Sequence, residues 1–184
     1  DVGATIRPMD GLTIQLAANV GSTQSRKDYF KSKKYPNSQG AAGITFDENM
    51  HFTTNDIVTY DKQLGKHHFD VMGGVTYEES TSKGVSTGVA ENFLSDVVET
   101  YDLDAATVKG LPTSSYSNWK LLSFLGRVNY NYDNRYLLTV NFRADGSSRY
   151  SKGDKWGYFP SAAAAWRISQ ENFMHRFTWL NELK

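Results

Sequence analysis

The residues that could do chemistry are few, and their spacing is poor for it. The chain has four histidines. His67 and His68 are adjacent, so on a strand they point to opposite faces and cannot readily share one metal. His51 and His175 stand alone. Asp96, Glu99, Asp102 and Asp104 crowd one polar stretch, but the glycine and the twelfth-position glutamate of a calcium loop are missing. The plainer reading there is a solvated short helix over residues 92–100, with an adventitious calcium site as the alternative. Glu78 and Glu79 would face apart on a strand, which is poor geometry for paired-carboxylate hydrolysis. No nucleophile-elbow pattern orders Ser, His and Asp, and no glycine motif cradles a phosphate. The reading assigns no catalytic residue, no metal and no cofactor, and the chain is not read as an enzyme.

What remains is surface recognition. Arg26, Lys27, Lys31, Lys33 and Lys34 interleave with Tyr29, Phe30 and Tyr35. Charge plus stacking could hold an anionic glycan, a lipopolysaccharide phosphate or nucleic acid; a solvated charged loop is the plainer reading. Lys plus Arg and Asp plus Glu are 20 each. A neutral chain has no global electrostatic reason to bind nucleic acid, and none is expected as a partner. Sugar binding needs aromatic platforms with amide and carboxylate neighbours. Tyr29, Tyr35, Tyr101, Tyr116 and Trp119 fall in stretches read as long loops and are the candidate ligand contacts.

The elements that must position these residues are strands. Period-2 alternation recurs along most of the chain. Leu12, Ile14, Leu16, Ala18 and Val20 share one face. Phe69, Val71, Gly73, Val75 and Tyr77 share another, as do Leu122, Phe124, Val128, Tyr130 and Tyr132. Tyr136, Leu138, Val140, Phe142 and Ala144 repeat the pattern, and Tyr158, Ala162, Ala164 and Trp166 close it. About seven antiparallel strands are expected, near residues 3–8, 11–21, 43–64, 67–80, 119–132, 135–146 and 156–168. Short and long connections alternate between them, with Asp133 and Asn134 read as a two-residue turn. One helical turn capped by Ser169 is expected over residues 169–174.

That parity is the habit of an up-and-down barrel in an outer membrane. The chain has 184 residues, 14% aromatic, and no cysteine. Its mean hydropathy is −0.53. The longest apolar run, residues 162–166, is far short of the roughly 20 residues of a membrane helix. A transmembrane barrel needs no such run, because its strands alternate lipid-facing and lumen-facing residues. Aromatics gather towards strand ends, as Tyr and Trp do at membrane interfaces. An open sheet in hydrocarbon would leave unpaired edges, so the fold class read is all-β, an antiparallel meander within a larger barrel.

The pieces GRVNYNYDNRYLLT, RADGSSRY, KWGYFPS and WRISQENFM, in order between residues 126 and 174, resemble the barrel of SusC/RagA-type TonB-linked outer-membrane transporters. The stretch VTYDKQLGKHHFDVMGGVTYEE is similar to that family's preceding hairpin. The resemblance implies a barrel of about 22 strands around a plug. It implies import of glycan oligosaccharides or peptides, driven through the TonB complex, with a SusD-like surface lipoprotein as lid. Residues 1–184 would be one segment of the wall, without the plug or the TonB-contact segment.

Within those motifs, Arg127, Arg143, Asp145 and Arg149 could form a charge-assisted network on the lumen side or rim. A solvated structural role is the plainer reading. Gly146 is read as a turn residue free to take a positive φ. Pro160 should mark a bulge or the first residues of a strand. Two alternatives stay open: a passive porin-like barrel, and a soluble secreted glycan-binding β-domain whose apolar faces form an internal core.

Overall fold

The computed structural model describes residues 1–151, 153–174 and 183; His175 lies outside them. The described residues form one antiparallel sheet of nine strands. Seven are long: β1 (Val2–Met9), β2 (Leu12–Lys31), β3 (Ala41–Leu64), β4 (His67–Ser86), β7 (Thr113–Tyr132), β8 (Tyr136–Ser147) and β9 (Trp156–Trp166). Two are short: β5 (Ala90–Phe93) and β6 (Ala106–Val108). The spatial order is β1-β2-β3-β4-β7-β8-β9, with β5 paired to β3 and β6. This is the expected meander, with one short inserted ribbon between β4 and β7.

The turns carry the chemistry that their tightness requires. Gly11 closes the β1–β2 hairpin at φ +82, and a Cβ there would sit 2.1 Å from the Asp61 carbonyl oxygen. No side chain fits. Residues 65 and 66 join β3 to β4, with Gly65 at φ 59. The β7–β8 turn uses three residues, not two, because Tyr132 pairs with Tyr136. Asp133 and Asn134 both have positive φ, a conformation that Asn and Asp tolerate best among residues with a side chain. The Arg135 amide closes the turn on the Tyr132 carbonyl at 2.9 Å.

Three strands reach well past their expected ends. β2 continues to Lys31, β4 to Ser86, and β7 begins at Thr113. These extensions are polar on both faces, so hydrophobic alternation is silent there while the backbone ladder persists. Pro160 is neither at a bulge nor at a strand start. It is the fifth residue of β9, opposite Phe142, in unbroken register. The backbone groups of Lys155 and Arg167 bond towards β8. By alternation Pro160 therefore turns its missing N–H away from β8, where no bond to that strand is lost. The turn expected over residues 169–174 is a 3-10 turn at Ile168–Gln170, and no side chain caps it.

The chain divides into two compact units. The first comprises Asp1–Asn19, Phe52–Glu79 and Lys120–Lys184; the second comprises Val20–His51 and Ser80–Trp119. In the first unit, Ala144 is the one buried apolar residue among those described. The second has a small core: Ala42, Ala90, Phe93 and Ala106, with Phe30, Val98 and Leu103 packed on it. The helix expected over residues 92–100 is instead the end of β5 followed by a 3-10 turn, Asp96–Val98, which the Ser95 side chain caps.

Candidate functional site

The first unit has two chemically distinct faces, and register fixes which residue stands on which. β7 and β8 pair Val128 with Val140, Tyr130 with Leu138 and Phe124 with Ala144. β8 and β9 pair Val140 with Ala162, Leu138 with Ala164 and Tyr136 with Trp166. These residues share one face, and its large members are exposed: Val128, Leu138, Val140, Phe142, Tyr158 and Trp166 among them. β1 and β2 continue the pattern, with Ile6 opposite Ile14 and Ala4 opposite Leu16. Phe69 joins the same face, its ring 5.0 Å from Tyr130. A soluble protein rarely leaves so continuous an apolar surface uncovered. The soluble-domain alternative required these faces to form a core, and they do not.

Two aromatic rows bound this face. At one end His67 meets Tyr132 at 4.9 Å, Tyr132 meets Tyr136 at 6.3 Å, and Tyr136 stacks on Trp166 at 6.3 Å. At the other, Phe52 meets Tyr77 at 6.1 Å, Phe124 meets Trp156 at 5.8 Å, and Phe142 meets Tyr158 at 6.2 Å. Along β9, Trp156 and Trp166 are separated by about 33 Å at ~3.3 Å per residue, or about 25 Å along a bilayer normal at a ~40° tilt. That is the height of an outer-membrane apolar band.

The opposite face is a polar ladder. Asn129 donates to Asp70 at 2.8 Å and accepts from Thr139 at 2.8 Å. Arg127 donates from Nε to Asn141 at 2.7 Å, and Asn141 donates to Ser161 at 3.2 Å. Arg143 Nε lies 2.7 and 2.9 Å from the two oxygens of Asp145, and its Nη2 reaches the buried Ser123 hydroxyl at 3.4 Å. Of the four residues considered as one network, Arg143 and Asp145 thus meet directly. Arg127 belongs to a neighbouring rung, and the Arg149 amide is held by the Ser147 hydroxyl at 3.3 Å. His67 and His68 do take opposite faces: His67 bonds Tyr130 OH at 2.8 Å and His68 bonds Asp61 at 2.6 Å. No metal-binding cluster of His, Cys, Asp or Glu exists among the described residues.

A charged hub near the turns is a feature the sequence did not reveal. Lys66 Nζ lies 2.9 Å from Asp133, and Arg135 lies 3.5 Å from Asp133 and 3.1 Å from Glu171. Glu171 also accepts from Tyr136 OH at 2.9 Å and Trp166 Nε1 at 3.2 Å. The Tyr136 hydroxyl, then the Trp166 N–H, hold the Glu171 carboxyl below its ordinary value; the Lys66 ammonium does the same for Asp133. No sequence signal joins residues 135 and 171, because only β8–β9 pairing brings them together.

The second unit holds the candidate ligand contacts. Tyr29, Tyr116 and Trp119 sit on strands β2 and β7 and not in loops. Tyr35 lies in the turn after β2, and Tyr101 follows the Asp96–Val98 turn, 87% exposed. Phe93, in the same unit, is 2% exposed and belongs to the core, so it is not open to a ligand. Asp96 is not simply solvated. It accepts from the Ser32 hydroxyl at 2.7 Å and the Lys33 amide at 3.0 Å. The Lys33 amide first, then Ser32, lowers its carboxyl below the usual range.

No protein-family model matches the chain. TonB-dependent receptor P3 of Formosa agariphila is 33% identical over 171 residues, covering 90% of this chain and 17% of that receptor. TonB-dependent receptor SusC of Bacteroides thetaiotaomicron is 35% identical over 148 residues, 80% of this chain and 14% of SusC. The chain therefore spans about a sixth of the relatives it matches. The solved RagAB peptide transporter shares the fold at a TM-score of 0.85, with 22% identity, covering 93% of this chain and 19% of that one. Sequence and fold agree on the same conclusion: the chain belongs to the SusC/RagA-type TonB-dependent receptors, as part of their larger antiparallel β-barrel.

Proposed function

We propose that the chain forms part of the wall of a TonB-dependent outer-membrane transporter that imports nutrients such as glycan oligosaccharides or peptides. It is not an enzyme in this reading. One observation carries the proposal: a continuous exposed apolar face, bounded by aromatic rows about 25 Å apart, backs a face of hydrogen-bonded polar rungs. The apolar face seats in outer-membrane lipid. The polar rungs line the lumen, where the small side chains of Ala163 and Ala165 let a plug approach closely. Residues 1–184 act as one segment of the barrel. The second unit, polar on its strand faces, meets substrate or a SusD-like surface lipoprotein.

The named relatives support this reading, being TonB-dependent receptors and, among solved structures, a peptide transporter. The test is location and size in the source cells. An antibody against residues 81–118 should detect a band several-fold heavier than 20.7 kDa in the outer-membrane fraction. A soluble band near 20.7 kDa would overturn the proposal.

A further inference from the structure

At the aromatic row nearest the short turns, the apolar face of the first unit has a hollow of about 420 Å³. Tyr130, Tyr136, Leu138, Ala164 and Trp166 line it in part, and no charged side chain does. Register explains its shape. Leu138 pairs with Tyr130 on one side and with Ala164 on the other, and the next rung on this face towards the turns pairs Tyr136 with Trp166. A single methyl group at Ala164 stands beside three large rings, and the gap it leaves opens outward. The walls are fixed. Tyr136 stacks on Trp166 with ring planes 12° apart, and Phe69 packs on Tyr130 at 5.0 Å. The polar atoms of these walls are already bound. His67 bonds the Tyr130 hydroxyl at 2.8 Å, and Glu171 accepts from the Tyr136 hydroxyl at 2.9 Å and the Trp166 N–H at 3.2 Å. The hollow is left with C–H and ring surface. A sugar or a nucleotide there would leave its own polar groups without partners; a hydrocarbon chain would not.

The rim supplies the opposite chemistry. Through Glu171, Tyr136 and Trp166 connect to Arg135, Asp133 and Lys66. Two cations and two carboxylates balance, but they are not equally open. The Lys66 side chain is 62% exposed and that of Glu171 12%. The hub therefore presents an ammonium outward, which suits a phosphate. We infer that hollow and hub together hold one phospholipid, with an acyl chain in the hollow and the headgroup phosphate at Lys66. Short turns of an outer-membrane barrel are periplasmic, so the lipid belongs to the inner leaflet. The hollow is continuous with the apolar face between the aromatic rows, and a chain enters it without leaving hydrocarbon. Interfacial Tyr and Trp sit at headgroup level, which places the phosphate beyond the row, on the side of Lys66. The fixed walls leave only the lipid to order on binding. The site rests on the reading of this face as membrane-facing.

The test uses the whole receptor carrying this chain, purified in detergent. The probe is a phosphatidylethanolamine with a photoactivatable diazirine on one acyl chain, its adducts mapped by peptide mass spectrometry. Labelling should concentrate at Tyr130, Tyr136, Leu138 and Trp166, several-fold above Val71 and Val128, which are exposed on the same face outside the hollow. Ala164→Phe fills the hollow from an exposed position and should cut that labelling several-fold, whereas Val71→Phe should not. Lys66→Gln should cut labelling by the phospholipid and leave unchanged the labelling by a diacylglycerol with the same diazirine chain. The pattern in the unaltered receptor tests the site even if a variant assembles poorly. Even labelling along the face, labelling indifferent to Ala164→Phe, or adducts to a second protein chain alone would overturn the site. Labelling indifferent to Lys66→Gln would overturn a phospholipid as its occupant. Membrane location is read separately. A receptor in the outer membrane with even labelling removes the site alone, and a soluble protein removes the transporter reading whatever its labelling.

Discussion

The indole of Trp156 lies over Gly146: a Cβ at that glycine would stand 2.9 Å from three carbons of the ring. The two residues are paired across β8 and β9. Gly146 is therefore not a turn glycine with positive φ, as its setting in RADGSSRY suggests. It is a strand residue, and glycine is required there because an aromatic ring occupies the space of its side chain. The ring in turn stacks on Phe124 at 5.8 Å, so the glycine shapes one aromatic row.

Gly146→Val should push the indole off its seat and destabilise the barrel by about 1–3 kcal/mol, the usual range for overpacking. Urea unfolding of the whole receptor in lipid, followed by tryptophan fluorescence, would show it. Gly126 provides the contrast. It sits on the same face, opposite Phe142, with nothing within 4 Å of a Cβ. Gly126→Ala should leave the midpoint unchanged; equal losses at both sites would discount the ring as the cause.

Val140 and Asn141 are neighbours on β8 with opposite fates. Val140 lies between Val128 and Ala162 on the apolar face, near half-height between the aromatic rows. Val140→Arg should cost about 2–4 kcal/mol if that height is the bilayer midplane, and should deplete the receptor from outer membranes. Asn141→Arg, on the polar face, should assemble. Equal assembly of the two would reverse the orientation assigned to the sheet.

Asp96 makes the second unit sensitive to acid. Its folded-state carboxyl is held below the ordinary aspartate value by the Lys33 amide and the Ser32 hydroxyl. A depressed folded value means the stabilisation is complete above the unfolded value near ~4 and disappears as pH falls through the folded one. Protease cleavage within residues 87–112 should therefore rise as the receptor is acidified below about pH 4. In Asp96→Asn, cleavage should already be raised at neutral pH and depend less on acid. A flat profile in the parent chain would dismiss the carboxylate as the anchor.

Glu171 ties the other aromatic row to the turns. It accepts from both Tyr136 and Trp166 and pairs with Arg135. Glu171→Ala should free the Trp166 indole, broaden its fluorescence response and raise its accessibility to a water-soluble quencher. Trp156 should be unaffected, and Trp119, Trp156 and Trp179 replaced by Phe in both backgrounds leave Trp166 as this chain's one indole. An unchanged quenching constant would mean that stacking alone seats Trp166.

Local physics made most of the wall legible. Alternation along residues 136–144 and 122–132 assigns each side chain to a face, since the pleat has a period of two. The turn residues at 11, 65 and 133–134 then place successive strands against each other. The same signal failed for residues 22–31 and 113–118. Both strand faces are polar there, and backbone pairing leaves no mark on hydropathy. The sequence by itself thus determined the meander, the apolar and polar faces, and the family motifs.

Tertiary structure decided what depends on contacts between distant residues. It placed Trp156 over Gly146, joined Glu171 to Tyr136, drew Asp96 to Ser32 and put Phe93 in a core. It also gathered Tyr130, Ala164 and Trp166 around one hollow. Such pairings depend on strand register and on the path of the residues between β4 and β7. Those are set by the sum of many ladder bonds and packing contacts, which no short window of sequence contains.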